Sequence, residues 1–328
     1  MKKFVVIIAT LIILPLGISK LAARFSPKER SFLIEERILF KNFPNDVSEL
    51  RVWIPYPVND NWQAIEDFKV SGPFKADVIM DKEYGNKILF IKSKKDASYG
   101  MPIQIILSFM AKRREYSTSG NLETSSKNLS GFLKADRLVP VNGEIKKLAE
   151  EITHGKSNNL EKARAIYDYL IDELTYSKDD PKVCGIGDSL LTLQYKKGIC
   201  TDYHSLFISL VRSLGIPAKF EIGFRMPKEP QEGKLNGYHC WAKFYIKGKG
   251  WIPVDISEAD KYPQKRDYYF GNIDEDRIRL TAGRDIILKE ARDLRSLNFF
   301  VYPYAELNGQ QFNDMDIELS YKNLKGGG

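Results

Sequence analysis

From residue 32 to about 109 the apolar positions fall in short runs at β spacing. Ile34, Ile38 and Phe40 share one parity, and Leu50, Val52 and Ile54 alternate strictly. Residues 88–91 and 103–109 are further apolar runs. Asn45-Asp46, Ser71-Gly72-Pro73 and Tyr84-Gly85-Asn86 punctuate them as turns. Short strands at this cadence predict a β-sandwich-like module over residues 30–115. Trp53, Pro55, Tyr56 and Pro57 fit its core and edge packing.

Residues 117–130 are rich in Ser, Thr and Asn and lack an apolar period, so 116–139 reads as a linker. Beyond Pro140 the spacing turns helical. Ile145, Leu148, Ala149 and Ile152 make one apolar face. Leu160, Ala163, Ile166, Tyr167, Leu170 and Ile171 make a stronger one. Asn158, with Glu161 three residues on, resembles a capping box, and Asp188 is an N-cap for a short helix. A fourth helix opens at Cys200 or Thr201, buries Leu206, Phe207, Leu210, Val211 and Leu214, and stops at Gly215-Ile216-Pro217. Strands follow at 218–224, 239–246 and 251–256. Helices followed by an antiparallel sheet predict an α+β core over 140–260, with 261–328 as a C-terminal extension packed on it.

Composition narrows the function classes. Of 328 residues, 43% are hydrophobic and 28% charged, which excludes a collagenous or disordered chain. The net charge of +7 is spread along the chain with no basic block, so no nucleic-acid partner is expected. Three cysteines are too few for a disulfide scaffold. Met1-Lys2-Lys3, an apolar run over 4–16 and Gly17-Ile18-Ser19 predict a secretory signal over 1–23, cleaved between Ser19 and Ala23. The alternative is an uncleaved anchor over 4–23. In both cases the chain is expected outside the cytoplasm, periplasmic or extracellular, with membrane contact only if the segment is retained.

The chemistry must come from a short roster, because His154, His204 and His239 are the only histidines. Cys200 opens a helix, where free N–H groups and the helix dipole favour a thiolate. His239 begins a strand. Asp255 follows the largely apolar run Trp251-Ile252-Pro253-Val254, so it is exposed at a strand end or partnered in the interior. It can orient the His239 imidazole as the third member of a triad. His204, one helical turn after Cys200, is a hydrogen-bonding neighbour; a metal held by Cys200, His204 and His239 is the weaker alternative, and no metal or cofactor is expected. Cys184 and Cys240 either pair or stay free, with Cys240 then on the strand face opposite His239. His154 is expected to be exposed.

Gly198-Ile199-Cys200-Thr201-Asp202-Tyr203-His204-Ser205-Leu206-Phe207 and Gly215-Ile216-Pro217-Ala218 resemble the transglutaminase-like domain of the papain-like superfamily. So do Gly237-Tyr238-His239-Cys240-Trp241-Ala242 and Trp251-Ile252-Pro253-Val254-Asp255. Leu50-Arg51-Val52-Trp53-Ile54-Pro55, Tyr269-Phe270-Gly271 and Gly283-Arg284-Asp285 are similar to its bacterial exported branch. The resemblance implies a papain-like α+β core with a Cys200-His239-Asp255 triad. The activity it implies is thioester chemistry on a peptide or protein amide, either hydrolysis or acyl transfer. It also suggests Gln194 as an oxyanion donor and Asp202, His204 and Trp241 as supporting residues. The competing reading is a non-catalytic peptide-binding module on the same fold.

A triad also sets the parity of a hairpin. Pairing Ile246 with Trp251 would put His239 and Asp255 on opposite faces, whereas pairing Ile246 with Gly250 puts them on one face. The sequence therefore predicts an odd loop, Lys247-Gly248-Lys249, with His239 opposite Ser257.

Overall fold

Alternation along the first strands builds two layers. A computed structural model describes residues 27–41, 49–93, 102–118, 123–124, 129–293 and 296–324. The segment 1–23 lies outside the described residues. Strand Glu29–Phe40 is central in a five-stranded antiparallel sheet, flanked by Ile103–Arg114 and Met315–Leu324, with Gln63–Ser71 and Glu232–Lys234 at the edges. Leu50–Pro55 is central in a second, between Lys87–Lys92 and Tyr304–Leu307, with Ala76–Met80 and Gln310–Gln311 outside. Ile38, Phe40, Ile103, Ile105 and Leu107 of the first sheet meet Leu50, Val52, Ile54, Leu89 and Ile91 of the second in one buried cluster. That cluster is the interior of a β-sandwich.

The C-terminal extension departs from the expectation that it packs on the core. Arg277–Ala282 joins the core sheet, but Tyr304–Leu307 and Met315–Leu324 complete the two sandwich sheets. The central strands would otherwise present unpaired edges, and only chain from beyond the core fills them. The expected linker also carries structure. Tyr116–Ser117 pairs with Asn272–Ile273, and Tyr116 donates its hydroxyl to the Trp251 carbonyl at 2.5 Å.

The core sheet runs in the order Gly250–Val254, His239–Ile246, Ala218–Arg225, Arg277–Ala282. Helix Cys200–Ser213 lies against it, buried from Cys200 through Arg212. Helices Glu144–Ile152, Asn159–Glu173 and Ser189–Tyr195 surround its other sides. A helix covered all round needs apolar or internally satisfied side chains on every face. Phe207, Leu210 and Val211 supply the first kind, and Asp202, His204 and Ser205 the second. The caps follow the sequence: Asn158 accepts the Glu161 N–H, and Asp188 accepts those of Leu190 and Leu191. The chain is therefore α+β, with antiparallel N-terminal sheets followed by helices packed on a sheet.

Candidate active site

Cys200 is the first residue of the buried helix, and Asp202 fixes that start. One oxygen of its carboxylate accepts the N–H groups of Ile199 at 2.7 Å and Gly185 at 2.6 Å, and the other that of Gly187 at 2.8 Å. The helix entry and the 185–187 loop are thus tied to one buried anion. Burial pushes the Asp202 carboxyl up, and the three N–H groups oppose it. Gly198 allows the approach, since a Cβ there would lie 2.4 Å from the Asp202 Cβ.

The hairpin has the parity a triad needs. Ile246 faces Gly250, the loop is Lys247-Gly248-Lys249, and Gly248 and Gly250 take φ of +82° and +92°. The ladder ends at Ala242 and Val254, so the expected strand over 251–256 is shorter and His239 has no cross-strand partner in Ser257. Asp255 instead caps helix Ile256–Lys261, accepting the Glu258 N–H at 3.2 Å. Its other oxygen, Oδ2, meets His239 Nε2 at 2.7 Å. Both residues are buried, at 5% and 0% exposure.

With Nε2 committed to Asp255, Nδ1 is the ring nitrogen left for the Cys200 thiol. The Cys200 thiol is held well below its ordinary range, first by the Cys240 S–H and then by the His239 imidazolium, which together outweigh burial. Burial lowers the proton affinity of His239, but Asp255 outweighs it and raises the ring to about 9. Burial also works against the charge on Asp255, yet His239 and Arg277 keep its carboxyl well below the usual range. The site therefore favours a thiolate beside an imidazolium, a pairing lost as pH rises through about 9.

The other expected residues divide. His204 is buried, with Nδ1 2.7 Å from the Cys200 carbonyl and Nε2 accepting the Ile256 N–H at 3.0 Å. Nδ1 therefore carries the proton, and both nitrogens are engaged, which leaves no lone pair for a metal. His204 pins the helix that Cys200 opens to the helix that Asp255 caps. Trp241 lies on the same strand face as His239, ring centroids 6.4 Å apart, but its indole N–H donates to Glu221 at 2.8 Å. Gln194 is a correction: it is exposed at the end of helix Ser189–Tyr195. Lys196 then turns through the left-handed region at φ +49°, between Gln194 and Cys200. Cys184, Cys200 and Cys240 are free, and Cys240 packs 3.7 Å from His204 Nδ1 and 3.9 Å from the Thr201 hydroxyl. His154 is exposed.

Sequence reasoning missed Arg277, a fully buried guanidinium 2.9 Å from the Asp255 oxygen that holds His239. It also missed the 2.7 Å bond between the Thr201 and Tyr238 hydroxyls, which ties the nucleophile helix to the residue before His239. The signal for Arg277 was Arg277-Ile278-Arg279-Leu280, where two arginines share one face of a strand in the interior.

The family model described as the transglutaminase-like superfamily matches residues 146–256, a span that includes Cys200, His239 and Asp255. Residues 146–256 are a transglutaminase-like superfamily domain. An uncharacterized protein of Haemophilus influenzae is 29% identical over 311 residues, covering 82% of this chain and 83% of that one. The uncharacterized protein YebA of Bacillus subtilis is 27% identical over 136 residues, 36% of this chain and 18% of YebA. The crystal structure of a candidate cysteine protease from Cytophaga hutchinsonii superposes with a TM-score of 0.60 at 17% identity, over 92% of this chain and 93% of that one. The shared fold thus extends beyond the transglutaminase-like domain to the sandwich.

Proposed function

We propose that this protein is an exported, thiol-dependent enzyme that cleaves or transfers the acyl group of a peptide or protein amide, with hydrolysis favoured. The supporting observation is the 2.7 Å contact of His239 Nε2 with Asp255, beside a helix-start thiol. Cys200 attacks the amide carbonyl as the thiolate. The tetrahedral oxyanion forms next to the Cys200 N–H, which lacks a partner within its own helix. The His239 imidazolium gives its proton to the leaving amine as the C–N bond breaks, leaving a thioester. His239, now neutral, takes a proton from the incoming water or amine, which displaces Cys200 and regenerates the pair. General acid–base help of this kind is worth ~10²–10⁴-fold.

The test pairs a chemical probe with turnover. At pH 6, iodoacetamide should alkylate Cys200 far faster than Cys184 or Cys240, because the Cys200 thiol is held well below its ordinary range while Cys240 is held above it. Casein breakdown, and incorporation of a fluorescent alkylamine into casein, should both vanish in Cys200→Ala while its circular dichroism is unchanged. Equal alkylation of all three thiols, or full turnover by Cys200→Ala, would sink the mechanism.

A further inference from the structure

A buried carboxylate strengthens an imidazolium's hold on its proton. Here the carboxylate is shared. Asp255 Oδ2 lies 2.7 Å from His239 Nε2 and 2.9 Å from Arg277 Nη2, and both Arg277 and Asp255 are fully buried. Arg277 is itself held in place: Nη1 donates to Asp274 Oδ1 at 2.9 Å, and Nη2 is 3.5 Å from Glu258. Asp274 in turn accepts the Tyr269 hydroxyl at 2.9 Å. Arg277 comes from the strand after residue 256, outside the span that matches the transglutaminase-like family.

We propose that Arg277 is a positioning residue for this site, fixing Asp255 in register and drawing part of its charge away from His239 so that the imidazolium can release its proton. Two like-charged donors on one acceptor oxygen repel, and each weakens the other's hold on the anion. The groups around the ring are few: Cys200 and His204 on the nucleophile helix, Cys240 on its own strand, Asp255 and Glu258 at the next helix start, then Asp274 and Arg277, with Arg225 paired to Glu258 at 3.1 Å. His204 is neutral by its hydrogen bonds. Arg277 is therefore the cation that competes most directly for Asp255.

The proposal presupposes Cys200–His239 as the reactive pair but not any substrate. Its readout is the proton affinity of His239 itself, so it stands or fails separately from amide turnover. The full-length protein labelled with ¹⁵N-histidine is titrated by NMR, with His239→Gln assigning the resonance. Arg277→Gln should raise the proton affinity of His239 about tenfold, because a cation is lost. Asp274→Asn should lower it, because Arg277 then turns more of its charge on the ring. Arg277→Lys should leave it near that of the unaltered protein. A structural role would move all three variants in one direction or none, and either result would overturn the proposal. Should Arg277→Gln fail to fold, the sign in Asp274→Asn decides: an unchanged or increased affinity refutes it.

Discussion

Cys240 follows the candidate base in sequence yet points away from it, because neighbours on a strand alternate. From the opposite face it reaches the first turn of the helix that Cys200 opens, 3.9 Å from the Thr201 hydroxyl, and its S–H lowers the Cys200 thiol. Its own proton is held well above the ordinary range, first by burial and then by the anionic neighbour, so it acts as a donor. In Cys240→Ala the thiolate loses that donor. Alkylation of Cys200 by iodoacetamide at pH 6 should slow on the order of tenfold and recover by pH 9.5; identical rates at pH 6 would show that the second thiol does not matter. At this scale Cys200, His239 and Asp255 were legible in the sequence as candidates, each from a local context: a helix start, a strand start, and a carboxylate closing an apolar run. Arg277, Cys240 and the Thr201–Tyr238 bond were not, because each depends on a contact between elements. Gln194, offered only by the resemblance, is exposed at its helix end, and the left-handed turn at Lys196 separates it from Cys200.

Among the elements, strand Glu29–Phe40 carries an inconsistency that the alternation rule exposes. Glu36 shares the interior face with Ile34 and Ile38 and stands opposite Leu107 and Leu319. It is 9% exposed, and burial lifts its carboxyl to about 8. A carboxyl whose proton affinity is higher folded than unfolded stabilises the fold below the unfolded value and loses that contribution as pH rises through the folded value. Wild-type stability should therefore fall between about pH 4.5 and 8. Glu36→Leu should abolish that part of the dependence and raise stability by about 1–3 kcal/mol at pH 8.5, with a smaller gain at pH 5. Urea melts at the two pH values check this, and a gain independent of pH would refute the titration account. His239 contributes in the same sense at higher pH: its stabilising effect is fully present below about 6.5 and is lost as pH rises through about 9. The hairpin beside it shows how far parity reasoning extends. The odd loop was required by a same-face triad, but the helix capped by Asp255 had no comparable signal, because its buried face spans a single turn.

At the scale of the whole molecule, each end of the described chain closes on the other. Met315–Leu324 pairs along Glu29–Phe40, and Tyr304–Leu307 pairs along Leu50–Pro55. Removal of residues 300–324 strips Met315–Leu324 from one sandwich sheet and Tyr304–Leu307 with Gln310–Gln311 from the other, and bares two central edges. The shortened protein should aggregate on gel filtration and lose its near-ultraviolet circular dichroism; a monodisperse, cooperatively melting product would show these strands to be accessory. The sequence by itself determined the α+β class, four of the sandwich strands, the helix starts and the Cys200, His239 and Asp255 positions, because periodicity, caps and strand parity act over a few residues. Only the tertiary structure decided that the C-terminal strands return to the sandwich, that Arg277 shares the carboxylate of Asp255, and that Cys240 packs against Thr201 and His204. Those contacts join residues tens to hundreds of positions apart, and which distant edge or buried charge satisfies another is settled by packing and desolvation over the whole fold.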